Sequence, residues 1–263
     1  MRHFTFALFA VVALMLTAAH ADDWSKTYAV ERAPQLRVDT SDADIRLDTW
    51  DQNKIEAHVT TERWKIGEGG IKIIERQTGD TVEIEVRFPH RNFVFDVGQR
   101  RVQIDIHMPR AGKITLRTGD GRISVNHLKG EMDLYTGDGR LEVEDVDGDL
   151  RARTGDGSIR VAGRFDALDI TSGDGRVSLM ARPGSRVARS WDVRTSDGSV
   201  NLEIPADLAA DLDLHTGDGH ITVNVPVTVE GQLNRQDIHG KLNGGGNRLV
   251  VHTGDGSITV DKS

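Results

Sequence analysis

Apolar residues recur along the carboxyl-terminal half of the chain in a fixed frame around a short polar motif, TGDG. Taking the Asp of each copy as zero, apolar side chains stand six and four positions before it and three and five after it. The leading pairs are Ile114/Leu116, Met132/Leu134, Leu150/Ala152, Leu168/Ile170, Trp191/Val193, Leu212/Leu214 and Leu249/Val251. The trailing pairs are Ile123/Val125, Leu141/Val143, Ile159/Val161, Val177/Leu179, Val200/Leu202, Ile221/Val223 and Ile258/Val260. Spacing of two predicts strands with one buried face. The residues between them are mostly polar, as at Arg117, Glu142, Arg153 and Arg160. Each unit therefore reads as strand, Gly-Asp-Gly bend, strand, and a second turn such as NHLKG or EDVDG.

The motif Asp falls at Asp120, Asp138, Asp156 and Asp174 in steps of 18 residues, then at Asp197, Asp218 and Asp255. A worn copy, TSDADIRL, begins at Thr40. One such unit cannot bury its apolar face alone, whereas stacked copies form a continuous core with strands about 4.8 Å apart. This predicts an all-β, parallel β-solenoid with about 18 residues per repeat. Short strands at regular intervals also fit an antiparallel sandwich. A sandwich, however, has no reason to return one motif at constant spacing.

The stretch before residue 111 has a different texture. KIEAHVTTERW, IKIIERQ, TVEIEVRF and RVQIDIHMP are longer and more strictly alternating, and Pro109 with Gly112 marks the change. Residues 22–110 are expected to be a strand-rich cap continuous with the solenoid of residues 111–263. RQDIHGKLNGGGNRL, before the last repeat, reads as a glycine-turned excursion. Residues 1–21 read as a cleaved signal peptide: Arg2 and His3, an apolar run from Phe4, and Ala19-His20-Ala21 before the cut. The uncharged run ends at Ala19, short of the roughly 20 residues that span a bilayer. No Cys follows to carry a lipid, so a periplasmic or secreted protein without a membrane span is expected.

Composition narrows the function classes. The formal charge is -8, and losing Arg2 with the leader makes it one unit more negative, which argues against nucleic acid as a partner. With no Cys, stability must come from packing and backbone pairing rather than disulfides. The 28 glycines point to many tight turns.

Three readings of the motif compete. In the first, Asp120, Asp138, Asp156, Asp174, Asp197, Asp218 and Asp255 form a structural corner ladder, with glycine supplying conformational freedom and Asp bonding nearby backbone. The motif Thr or Ser has the parity of the buried positions, so its hydroxyl can satisfy corner donors or the neighbouring Asp. In the second, the carboxylates bind calcium, as in nonapeptide β-rolls, although the order of Asp and Gly and the period differ. The first is favoured, and no metal or other cofactor is expected. In the third, Arg117, Arg122, Arg140, Arg153, Arg176, Arg194, His215, His220 and His252, all of outward parity beside the motif, form an anion-binding edge for an envelope polysaccharide or another envelope protein. The plainer account of these cations is neutralisation of the Asp ladder by weak surface pairs. No catalytic residues stand out: the regular Asp residues single out no pair, and HTGDGH brings two imidazoles together without a third ligand.

The repeated TGDGxIxV, Trp50-Asp51 before KIEAHV, and the closing GKLNGGGNRLVVHTGDGSITV resemble a bacterial β-strand-repeat family of unknown function, provisionally called adhesins. The resemblance covers roughly residues 30–260. It implies a right-handed, parallel β-helix-like fold and an exported or envelope-associated protein, and it brings no catalytic residues. The expectation is thus a non-catalytic, adhesin-like binding or scaffold protein. The alternative is a carbohydrate-active β-solenoid enzyme acting on an anionic polysaccharide.

Overall fold

A computed structural model of the chain describes residues 21–31, 33–89, 101–229 and 235–263. The expected signal peptide lies outside these residues except for Ala21, where the first strand begins. Among the described residues the regular structure is all strand, with no α-helix. The 21 strands belong to one hydrogen-bonded sheet, which folds into two walls around an apolar filling.

The first wall opens with β5 (Lys72–Thr78), β6 (Thr81–Arg87) and β2 (Gln35–Thr40). It continues through β8 (Ala111–Thr118), β10 (Lys129–Thr136) and the later halves of β11 (Leu141–Thr154) and β12 (Ile159–Ser172). It closes with β14 (Trp191–Thr195), β20 (Arg248–Thr253), β16 (Ala210–Thr216), β19 (Asp237–Leu242) and β18 (Thr228–Val229). The second wall begins with β1 (Ala21–Ala29), β4 (Lys54–Glu62), β7 (Arg101–Pro109), β3 (Asp44–Trp50) and β9 (Ile123–Asn126). The early halves of β11 and β12 follow, then β13 (Val177–Ala181), β15 (Val200–Ile204), β21 (Ile258–Lys262) and β17 (Ile221–Val223).

Repeat strands pair in parallel and shifted by one unit, with Met132 set between Ile114 and Leu150. Parallel stacking makes the fold β-solenoid-like and removes the antiparallel sandwich from consideration. Every predicted leading apolar pair is buried, and so is every trailing pair except Ile221/Val223. That pair is only partly covered because β17 ends its wall. TGDG bends join the walls at one corner. At the opposite corner β11 and β12 run through without a break, and His127 and Asp145, one repeat apart, take left-handed φ of 60° and 56°.

Pairing runs across the expected boundary at residue 110: β2 and β3, which flank the worn motif, form the rung against β8 and β9. β6 and β7 extend that rung in parallel, and the wall edges then turn antiparallel through β5 and through β4 and β1. The other end departs from sequence order. β20, from the last repeat, lies between β14 and β16, while antiparallel β19 covers the free edge of β16. The glycine-rich excursion therefore contains a capping strand, followed by a turn in which Asn243, Gly244, Gly245 and Gly246 all have positive φ. Covering an edge in this way blunts a ready template for pairing with another chain.

Candidate functional site

The motif corner is built from backbone contact. An added Cβ at Gly139 would lie 1.9 Å from the carbonyl oxygen of Gly121, and at Gly157 1.8 Å from that of Gly139. The motif glycines do not have positive φ. Close approach of successive rungs, not conformational freedom, is what requires glycine here, which corrects the sequence-based reason.

The motif hydroxyls are buried and link the rungs. Gly157 N–H donates to Thr154 Oγ1 at 3.2 Å, while the Thr154 hydroxyl donates to the Gly139 carbonyl one rung below at 3.1 Å. Thr118, Thr136, Ser172, Thr195 and Thr253 repeat both bonds. Each hydroxyl thus satisfies a donor of its own bend and an acceptor of its neighbour, which a buried polar group requires. The sequence suggested the first bond; the second depends on stacking.

Asp120, Asp138, Asp156, Asp174, Asp197, Asp218 and Asp255 project from this corner as an exposed column. Among the described residues none of the seven carboxylates makes a hydrogen bond or ion pair, so they do not brace the bend as expected. Their exposure to solvent screens the charges from one another. At the capped end, partial burial pushes the Asp42 carboxyl up, with Asp120 and Asp44 adding to the shift. Among the described residues no group of three His, Asp or Glu side chains is placed to hold a metal ion.

The nine expected anion-edge residues form two columns, one on each side of the Asp column. The first runs Arg117, Tyr135, Arg153, Thr171, Arg194, His252 and His215 along the first wall. The second contains Arg122, Arg140, Arg176 and His220, with Ser158, Ser199 and Ser257 between them. Several of these cations are held by neighbours rather than by the motif Asp: Arg153 by Asp169 at 3.0 Å, Arg194 by Asp192 at 2.6 Å, and His215 by Asp237. Arg140 and Arg176 each reach a serine hydroxyl on the next rung, at 3.1 and 3.2 Å. His215 and His252 meet edge to face, 5.5 Å between ring centres.

The first column borders a surface that the sequence did not single out. Two shallow grooves of about 750 and 890 Å³ lie on the outer face of the first wall and share Lys113, Thr115 and Asp133, so they are continuous. Arg117 lines one, and Arg153 and Arg194 line the other. Register sets a row along the floor: Arg37, Thr115, Asp133, Arg151, Asp169 and Asp192. Its charges are cross-linked, with Arg37 3.4 Å from Glu83, Arg151 3.0 Å from Asp169 and Lys113 2.7 Å from Glu131. Partial burial pushes the Asp192 carboxyl up; Arg194 opposes the shift and Asp169 reinforces it. The signal in the sequence was the outward parity of these residues, but parity alone does not separate a groove from a plain solvated face.

The family described as Toastrack DUF4097 matches the chain over residues 34–180 and again over 110–261. No curated protein matches by sequence. Solved structures similar to the chain include one from Bacteroides fragilis, provisionally described as an adhesin. It is 11% identical, with 92% of this chain and 97% of that one covered and a TM-score of 0.49. Another, from Clostridium sporogenes and provisionally described as a cell adhesion protein, is 14% identical over 92% and 100% of the two chains, with a TM-score of 0.42. A third, from Parabacteroides distasonis and provisionally described as a lipid-binding protein, is 13% identical over 92% and 98%, with a TM-score of 0.46.

Proposed function

The chain belongs to the Toastrack DUF4097 family, and from that premise we propose that it is an exported, adhesin-like binding or scaffold protein of the bacterial envelope. The coil is right-handed, as the family resemblance implies, and residues 1–21 are removed on export. Among the described residues no helix is long and apolar enough to cross a membrane.

One observation carries the reading: the continuous polar groove across successive rungs of the first wall. Strand pairing fixes its charged side chains at a regular interval, and an extended polymer with a regular repeat matches such a lattice. Its partner is an envelope polysaccharide lying across the strands, with the cations of the adjoining column at the rim. The test is binding of the full chain to a panel of envelope polysaccharides, comparing Arg151→Glu in the groove with Arg160→Glu on the second wall. Affinity is expected to fall at least tenfold, about 1.4 kcal/mol, for the groove variant alone. Equal binding by both variants would remove the groove from the function.

A carbohydrate-active enzyme is the second reading, favoured by Asp169 and Asp192 on adjacent rungs of the groove. A carboxyl raised by partial burial, with a second carboxyl on the adjacent rung, is an arrangement suited to general acid chemistry. Cleavage of a bound polysaccharide that disappears in Asp192→Asn would establish it. Binding without cleavage rejects it.

A further inference from the structure

A second concavity lies at the motif corner near the capped end. Guanidinium groups of Arg46, Arg101, Arg122 and Arg140, with the carboxylates of Asp44 and Asp120, border a recess of about 410 Å³. Four cations against two anions leave an excess of positive charge in a chain whose formal charge is -8. Asp44 is partly committed elsewhere, since its Oδ1 accepts the backbone N–H of Arg122 at 2.8 Å.

Arg122 and Arg140 stand on successive rungs, because the N–H of Ile123 bonds to the Arg140 carbonyl at 3.0 Å. Stacking places neighbouring backbones about 4.8 Å apart, and both side chains line the same recess, the Arg140 Nε also donating to Ser158 Oγ at 3.1 Å. Arg140 is 3.4 Å from Glu142, and Arg46 is a distant 3.9 Å from Asp105. Among the described residues Arg122 and Arg101 have no ion-pair partner. Beyond Arg140 the same column carries Ser158, Arg176, Ser199 and Ser257, so two arginines follow one another only here. The sequence placed Arg122 and Arg140 on the edge; Arg46 and Arg101 arrive from the cap and complete the cluster.

We propose that this recess binds an oxyanion carried on a sugar, a uronate carboxylate or a sulfate ester, and so anchors an acidic polysaccharide at one end of the molecule. Planar guanidinium forks match the oxygens of such groups in pairs. An oxyanion between Arg122 and Arg140 also relieves their mutual repulsion. This assignment rests on the polysaccharide-binding reading and adds to it the charge class of the polymer and the place where that charge is read.

The full chain is titrated with oligogalacturonate, dextran sulfate, neutral dextran and inorganic sulfate at low salt, following the arginine Nε–H resonances and the affinity. The Arg122→Gln/Arg140→Gln double variant is compared with Arg160→Gln, and thermal unfolding checks that each folds. At least one charged polymer is expected to bind, with at least tenfold loss in the double variant, no loss in Arg160→Gln, and weakening at high salt. Polymer binding that survives the double variant overturns the recess while leaving the polysaccharide reading in place. Inorganic sulfate bound at the recess without any polymer keeps the oxyanion site, assigns it to a free anion and overturns the polysaccharide reading. No response of the arginine resonances to any of the anions overturns the site.

Discussion

At the scale of single residues, the motif hydroxyl holds adjacent rungs together. Thr154→Val keeps the shape but leaves the Gly157 N–H and the Gly139 carbonyl without their partner. A loss of about 1–3 kcal/mol is expected, read as a fall in melting temperature of roughly 2–4 °C per kcal/mol for a chain of this size. Thr154→Ser should be close to neutral, because Ser172 already makes both bonds in the next rung. Equal losses in the two variants would assign the effect to packing rather than to the hydroxyl. Asp192 gives the opposite sign. Its folded-state carboxyl is raised by partial burial, so its contribution to stability is present at acidic pH and is lost as pH rises through the folded value. Asp192→Asn is expected to raise the melting temperature slightly at pH 7, with the gain vanishing toward pH 3. The effect is small because the side chain is part-exposed and Arg194 offsets it. A fall at pH 7 would show that the Arg194 pair outweighs desolvation.

At the scale of elements, most of the repeat was legible because each strand alternates cleanly around its motif. Ile114, Leu134, Val143 and Ile170 are buried as their parity required. The insertion of β20 between β14 and β16 was not legible. Trp191, Leu249 and Leu212 offer equivalent apolar positions to a neighbour, so the repeat pattern does not state stacking order. Nor could it show the arginine recess, since Arg46 stands on the strand after the worn copy and Arg101 on a strand without the motif. The capping strand β19 offers a direct test. Ile238 is buried opposite Leu214, and Ile238→Pro removes both its packing and a backbone donor. Amide exchange in β16 and β20 is expected to accelerate, with β8 through β11 unchanged. Uniform acceleration across the chain would show that the stack opens as one unit.

At the scale of the whole molecule, each rung touches only its neighbours, so stability accumulates along the axis and opening can begin at either end. The same regularity that makes the interior repetitive also fixes outward charges on a lattice, which is why a groove can cross several rungs without a dedicated loop. The interleaved last repeat adds a constraint of time. A chain emerging amino end first can lay down β8, β10, β11, β12 and β14 in the order they appear. Residues 210–216 then arrive before the strand that separates them from residues 191–195. Their place in the wall stays unfilled until residues 248–253 emerge, about 30 residues after β16 is complete. A chain interrupted in that interval is left with a slot inside its wall rather than a shorter version of the same wall.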